Sequence, residues 1–491
     1  RMVTARELLG FVICLSFVCS IQCSIAIQVN TNATVTTLPD KYLSMSIDSS
    51  QLVGSHFWSS NPQPFNFSRP RLINMAKALA PAVLRVGGTD GDKIYYDLSE
   101  NPLTQAPGKY KYIMTKDEYD NLLTFVEEIG FQLVFGLNAG PGPRNTNDIT
   151  QWNSTNAEEL LQYSKNKPAL LGFELSNEPN LFFLTFGPKY FLQPVELAAA
   201  FNQLQELIHQ IQPNWKLVGP DVSFEYPIVG QLVPDFWQDT LQAMQEQGTT
   251  LDIATYHFYP LLSERCLGPL PDPFIATAEK YLHPYTYNKI IRHAETVKNS
   301  VNAYQPQAEI WVGETAGSLC GGQPGVANRF IDSLWWMDQL GLLGQNEQTS
   351  GQVRQTLAGS DYGLINEITL TPRPDYFASL LFKQLMGNQV LNTSVVNTTY
   401  VRSYAHCASA MYPAGSVTLL LINLYQNETF VELPLSLQTL PMALYSLTPP
   451  SPLDITSEFV ALNGDILRVD EDGNPPKLIP QNLPASIGVT L

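Results

Sequence analysis

Between Pro39 and Leu381 short apolar runs alternate with stretches of helical period, and that alternation leaves few folds open. Eight runs qualify as strands: Leu43–Ile47, Val83–Val86, Leu133–Leu137, Gly172–Ser176, Lys216–Gly219, Ile253–His257, Glu309–Gly313 and Tyr362–Ile365. Strands separated by helices pair in parallel, and a parallel sheet is covered on its faces by those helices. Eight such units close a barrel. The expected class is α/β, a (β/α)8 TIM barrel over residues 39–381. Two of its helices can be read in detail. Thr115 and Glu118 form a capping box, Tyr119, Leu122, Leu123 and Val126 share one face, and Gly130 supplies the stop. The stretch from Pro194 to Ile211 opens on a first-turn proline and puts Leu197, Phe201, Leu204 and Ile208 on one stripe.

At 491 residues the chain is longer than one core usually fills, so a second unit is expected. After about Phe382 the helical period gives way to short alternating runs such as Val417–Asn423 and Thr429–Leu433, divided by turn residues. These, with the Val- and Thr-rich stretch Ile27–Leu38, are expected to form a smaller β-sandwich domain from residues 27–38 plus 382–491. Residues 1–26 carry Arg1 and Arg6, an apolar run from Leu8 to Val18 and small residues ending at Ala26, the layout of a signal peptide cleaved after Ala26. Six Asn-X-Ser/Thr sequons, at Asn32, Asn66, Asn153, Asn392, Asn397 and Asn427, suit a secreted protein, extracellular or lysosomal, with N-glycans at some of them. Outside the leader only Cys266, Cys320 and Cys407 remain, and a Cys266–Cys320 disulfide is one expected arrangement. No later segment is apolar for long enough to be a transmembrane helix. A net charge of −17 without clustered Lys and Arg excludes nucleic acid as a partner.

Two segments carry chemistry. Phe173-Glu174-Leu175-Ser176-Asn177-Glu178-Pro179 is an apolar strand ending in a polar pair and a chain-breaking proline, and Ile310-Trp311-Val312-Gly313-Glu314-Thr315 repeats the pattern. The C-terminal ends of barrel strands form the active-site face, so both glutamates are placed for catalysis. Glycoside hydrolysis needs such a pair, one carboxyl to protonate the leaving oxygen and one to attack or to activate water. Tyr256-His257-Phe258-Tyr259 ends another strand and offers an imidazole and a phenol to hydrogen-bond the nucleophile. This chemistry requires no metal or organic cofactor.

The chain also resembles the heparanase-type β-glucuronidases of glycoside hydrolase family 79, over about Tyr42 to Val395. The resemblance is carried by Tyr42 to Asp48, Leu84 to Thr89, Phe135 to Ala139, Gln151 to Ser154, Leu175 to Asn180, Gly219 to Val222, Gly313 to Thr315 and Pro374 to Phe377. It implies a retaining enzyme with Glu178 as acid/base, Glu314 as nucleophile and Asn177 bonded to the sugar 2-hydroxyl. It implies further that Asp48, Thr89, Asn138 and Tyr259 line the sugar pocket, joined by His257 and Gln355, and that the backbone of Gly321-Gly322 with Tyr362 holds the uronate carboxylate. Between Thr89 and Leu133 the connection is short and shows nothing like the linker excised from the heparanase precursor, so a single-chain enzyme is expected. The expected activity is a β-glucuronidase acting on glucuronosides or glucuronate-containing polysaccharide. The alternatives are an endo-acting enzyme on glycosaminoglycan and a non-catalytic glycan-binding matrix protein on the same scaffold; the presence of both glutamates counts against the last.

Overall fold

A computed structural model describes residues 24–55, 65–145, 147–224, 235–266, 274–451 and 454–491. The expected leader lies almost wholly outside them. Eight parallel strands close into a barrel: Leu43–Asp48, Val83–Gly87, Gln132–Leu137, Leu170–Leu175, Lys216–Ser223, Ile253–Phe258, Glu309–Thr315 and Gly351–Arg354. Seven of these overlap the runs expected from sequence; the eighth does not. Tyr362–Ile365 is not a barrel strand but part of a loop over the mouth, touching Ala358 and Pro372 through single bridges at Ile365. The true eighth strand, Gly351-Gln352-Val353-Arg354, is polar on the face it turns toward the helices. Gln352 bonds Tyr42 and Gln339, and Arg354 pairs with Asp332 and Asp375. A search for apolar runs passes over such a strand.

The two helices read from sequence span Lys116–Glu128 and Pro194–Ile211. Thr115 and Glu118 make both bonds of the capping box, and Gly130 takes the left-handed conformation, φ 72°, beyond the helix end.

The barrel interior is layered. Val83, Val134, Val218, Ile253, Trp311 and Val353 form a dry floor. One step nearer the mouth, Arg85 and Glu174 meet across the interior at 2.8 Å. Small neighbours make room for them: a Cβ on Gly87 would lie 2.5 Å from the Arg85 guanidinium carbon, and one on Gly136 would lie 3.0 Å from a Glu174 oxygen.

Beside the barrel lies a six-stranded sheet in the order Val417–Asn423, Val401–Ala408, Met386–Val396, Ile25–Thr37, Phe430–Glu432 and Gly488–Thr490, accompanied by smaller sheets. The N-terminal strand pairs antiparallel with Met386–Val396. The sheet is locked to the barrel helix Phe330–Gln345, where Asp338 accepts from Arg402 at 2.7 Å and from the Tyr404 hydroxyl at 2.6 Å. Gly341 of that helix lets the Tyr404 ring lie flush, since a Cβ there would meet it at 2.2 Å. All six sequon asparagines are exposed. Among the described residues no helix is long and apolar enough to cross a membrane.

Candidate active site

The fourth strand ends at Leu175, and the chain then turns sharply, with Ser176 at φ 77° and Glu178 at φ 49°. Three anchors hold that strained turn. The Asp92 carboxylate accepts the Asn177 N–H at 2.8 Å and the Ala139 N–H at 2.8 Å, tying the ends of the third and fourth strands together. The Asp221 carbonyl accepts the Glu178 N–H at 3.0 Å. Asn180 exchanges two bonds with the backbone of Ser223. Glu178 thereby faces the barrel axis, 3.1 Å from His257 Nδ1 through Oε1, its side chain 12% exposed.

Glu314 sits near the end of the seventh strand. One oxygen accepts from Arg85 Nη1 at 2.7 Å and the other from the Tyr259 hydroxyl. Glu178, His257 and Glu314 each present an atom within 4.8 Å of the others, so carboxylate oxygens of the two glutamates are that close. The spacing of this trio is also compatible with a metal ion. Its surroundings argue against one: Arg85 and Tyr259 already take both oxygens of Glu314, and a cation there would sit against a permanently charged guanidinium.

Beneath the pair lies a buried charge network that the sequence did not disclose. Arg85 spreads its donors over both Glu174 oxygens, Glu314, Asn177 at 3.0 Å and Asp221 at 3.1 Å. Asp221 also stands 3.4 Å from His257 Nε2. Burial opposes a charge on His257, but Glu314, Asp221 and Glu178 outweigh it and hold the imidazole up to about 10. Burial likewise pushes Asp221 up, yet Arg85 and His257 keep its carboxyl well below the usual range. Glu174 goes the other way, raised by burial and by Asp221 despite Arg85. The available signal for Arg85 and Glu174 was a charged residue inside an apolar barrel strand.

The remaining expected residues divide. Asp48 accepts from the Ser50 N–H at 2.9 Å and from Gln355 Nε2 at 3.0 Å, and Gln355 Nε2 reaches the Tyr362 hydroxyl at 3.4 Å. Burial, then the neighbouring Glu314 and Asp90 charges, raise Asp48 to about 7 against the Ser50 bonds. The Tyr362 ring lies 6.4 Å from that of Tyr259; of Gly321 and Gly322, at φ 81° and 83°, Gly322 packs on Tyr362 and the Gly321 carbonyl accepts the Asp361 N–H at 2.8 Å. The N–H groups of these two glycines donate to no described residue. The Cys266–Cys320 disulfide forms and staples the loop after the sixth strand to the segment entering Gly321. Thus Asp48, Asn177, His257, Tyr259, Gly321, Gly322, Gln355 and Tyr362 gather around the two glutamates. Thr89 is half-buried beside Gly88, whose Cα abuts Asp48. Asn138 is not aimed at the pair: its amide donates to the Ile94 carbonyl and accepts from the Gly140 N–H, both at 2.8 Å. In the segment that follows Glu178 the structure gathers what the sequence scatters, the Lys109 and Lys189 ammoniums 5.8 and 4.9 Å from the Tyr190 ring.

A closed parallel barrel with two facing glutamates at the ends of its fourth and seventh strands is the build of a glycoside hydrolase. The chain belongs to glycoside hydrolase family 79, whose N-terminal domain model matches residues 25–341. It is 28% identical to heparanase of Mus musculus over 92% of this chain and 88% of that one. It is also 28% identical to baicalin-beta-D-glucuronidase of Scutellaria baicalensis, over 83% of this chain and 78% of that one. Among solved structures, a 4-O-alpha-L-rhamnosyl-beta-D-glucuronidase from Fusarium oxysporum shares the fold with a TM-score of 0.65 at 15% identity, covering 95% of this chain and 97% of that one.

Proposed function

We propose that the chain is a retaining β-glucuronidase that works through a covalent glycosyl ester on Glu314. The observation that carries this reading is the approach of the two carboxylates to within 4.8 Å, near the roughly 5–5.5 Å of retaining enzymes and short of the gap that an inverting enzyme needs for water. Partners assign the roles. Glu314 receives two donors, including a permanent cation, and is held as an oriented anion for attack at C1. Glu178 is the more exposed of the two, at 12% against 7%, and its Oε1 alone meets a side chain, His257, among the described residues. As Glu314 bonds to C1, Glu178 gives its proton to the departing oxygen; it then takes a proton from the water that releases the sugar.

Substrate class rests on the pocket wall. Two adjacent N–H groups without acceptors among the described residues, next to Tyr362, suit a carboxylate because they donate without bulk. In this reading Asp48, Gln355 and Tyr259 bond sugar hydroxyls and Asn177 the 2-hydroxyl, while Asn138 and Thr89 support the wall. Endo cleavage of an acidic glycan is the second reading, favoured by Lys109 and Lys189, whose ammoniums meet at the Tyr190 ring in the segment that follows Glu178. The exposed sequons and the leader-like N-terminus support passage through the secretory pathway, with N-glycans and an extracellular or lysosomal destination.

The test is release of p-nitrophenol from the β-D-glucuronide beside the glucoside and galactoside, with Glu178→Gln and Glu314→Gln as controls. Turnover of the glucuronide alone, lost in both variants and giving the β-anomer first by NMR, is the expected outcome. Initial release of the α-anomer refutes retention. Preference for the uncharged sugars refutes the carboxylate pocket.

A further inference from the structure

Asp221 has no part in the mechanism above, yet it touches the Glu178 backbone, Arg85 and His257. It is fully buried and lies at φ 53°, a left-handed conformation that a non-glycine residue adopts only where its surroundings enforce it. Its carbonyl holds the Glu178 N–H, one carboxylate oxygen takes Arg85, and the other faces His257 Nε2 at 3.4 Å. That same oxygen occupies the place of a side chain on Gly313, where a Cβ would come within 3.0 Å of it. The residue before the nucleophile is therefore hemmed in by Asp221 and, at the same distance, by the Thr255 side chain.

A carboxylate opposite Nε2 repels a bare nitrogen lone pair and so requires a proton there. His257 Nδ1, at 3.1 Å from Glu178 Oε1, then completes a line running Asp221, His257, Glu178. We propose that Asp221 is a positioning residue for acid/base catalysis: by holding His257 as an imidazolium behind Glu178, it stabilises the negative charge that Glu178 acquires when it protonates the leaving group. This rests on the retaining reading above. The protons balance without any step at His257. The Glu178 proton goes to the aglycone oxygen as the C1–O bond breaks and the bond from Glu314 to C1 forms. His257 keeps both of its protons throughout, and Glu178 recovers one from water as the ester is cleaved. A fixed cation at 3.1 Å in a buried site favours the anion formed in the transition state over the neutral acid before it.

The prediction separates this role from support of Arg85 or of the fold. A dinitrophenyl glucuronide leaves without protonation, whereas a phenyl glucuronide needs the acid. Asp221→Asn in the full chain should lower kcat/KM for the phenyl substrate at least tenfold more than for the dinitrophenyl one, as Glu178→Gln does. Adding His257→Gln to Asp221→Asn should cost little further, because both act through one line. Equal losses on the two substrates overturn the proposal. If Asp221→Asn does not fold, nitrogen NMR of histidine-labelled wild-type protein decides, with the His257 signal assigned by its absence in His257→Gln. Protonation at both ring nitrogens between pH 5 and pH 8 is expected; a His257 that titrates within that range overturns the idea. Wild-type protein inactive on every glucuronide refutes the parent reading instead and leaves the NMR result to judge Asp221.

Discussion

Replacing Arg85 with lysine keeps the charge and removes the fork, so it isolates what geometry contributes. The guanidinium makes five contacts with charged or polar acceptors: two from Nε to Glu174 at 2.8 and 3.0 Å, one from Nη1 to Glu314 at 2.7 Å, and two from Nη2 to Asn177 and Asp221 at 3.0 and 3.1 Å. An ammonium has three protons on a single atom and can meet at most three of these acceptors. At least two bonds are lost, at about 1.5–3 kcal/mol each where a partner is charged, or roughly 3–6 kcal/mol altogether. The acceptors left behind are buried, so water replaces little of this. If the Glu314 bond is among those lost and its orientation matters only in the transition state, kcat/KM falls about 10- to 150-fold, the remainder appearing as a lower thermal midpoint. The assay is p-nitrophenyl glucuronide turnover alongside thermal unfolding. An Arg85→Lys enzyme within threefold of wild type in kcat/KM, with an unchanged midpoint, would refute the claim that the fork holds the nucleophile.

Stability should fall as pH rises. Burial raises Asp48 and Asp92 from 3.8 to about 7, so the folded chain keeps protons that the unfolded chain releases between roughly pH 4 and pH 7, a loss of at most ~4 kcal/mol per group across that window. His257, raised to about 10 from 6.5, adds stability that is full below pH 6.5 and lost as pH climbs through 10. A thermal midpoint that stays level or climbs from pH 4 to pH 8 contradicts this. Replacing Cys266 and Cys320 together by serine should destabilise by about 2–5 kcal/mol and raise KM for a glucuronide more than it lowers kcat, since the bridge enters the Gly321-Gly322 loop; steady-state kinetics and a melting curve read both effects. Gly322→Ala puts a methyl 2.8 Å from the Tyr362 nitrogen at φ 83° and should raise KM tenfold or more, which substrate-saturation curves will show.

Sequence periodicity was enough for the barrel because seven of its strands stand out as short runs between stretches of helical period, and enough for the two glutamates because each stands at or just past the end of such a run. It was not enough for the eighth strand, whose helix-facing side holds Gln352 and Arg354, or for the network under the site. Arg85 and Asp221 stood in segments that carried the family resemblance, yet nothing local distinguishes a charge that reaches across the barrel from one that turns to solvent. Their partners Glu174, Glu314 and His257 come from three other strands, so the relation exists only once the barrel closes. Other residues in those segments prove to be structural. The Trp152 indole holds the Asn138 carbonyl at 3.0 Å, and Asp375 neutralises Arg354 beneath the Tyr362 loop. Lys109 and Lys189 are far apart in sequence and near only in space.

The proposed carboxylate site also explains why this pocket should use amides and a phenol rather than a lysine or arginine. Asp48, Glu178 and Glu314 already line it, and Arg85 is fully committed beneath them. A mobile cation at the Gly321-Gly322 position would pair with the nearest of these carboxylates in the empty enzyme. It would then hold Glu314 or Glu178 in place of the substrate, and binding would have to break that pair. Neutral donors cannot be captured so strongly; they leave Glu314 to Arg85 and Tyr259, and remain available to an incoming carboxylate. The proposed selectivity for a charged sugar then rests on backbone groups that have no acceptor among the described residues and that an uncharged hydroxymethyl would satisfy less well, in a loop held by the disulfide.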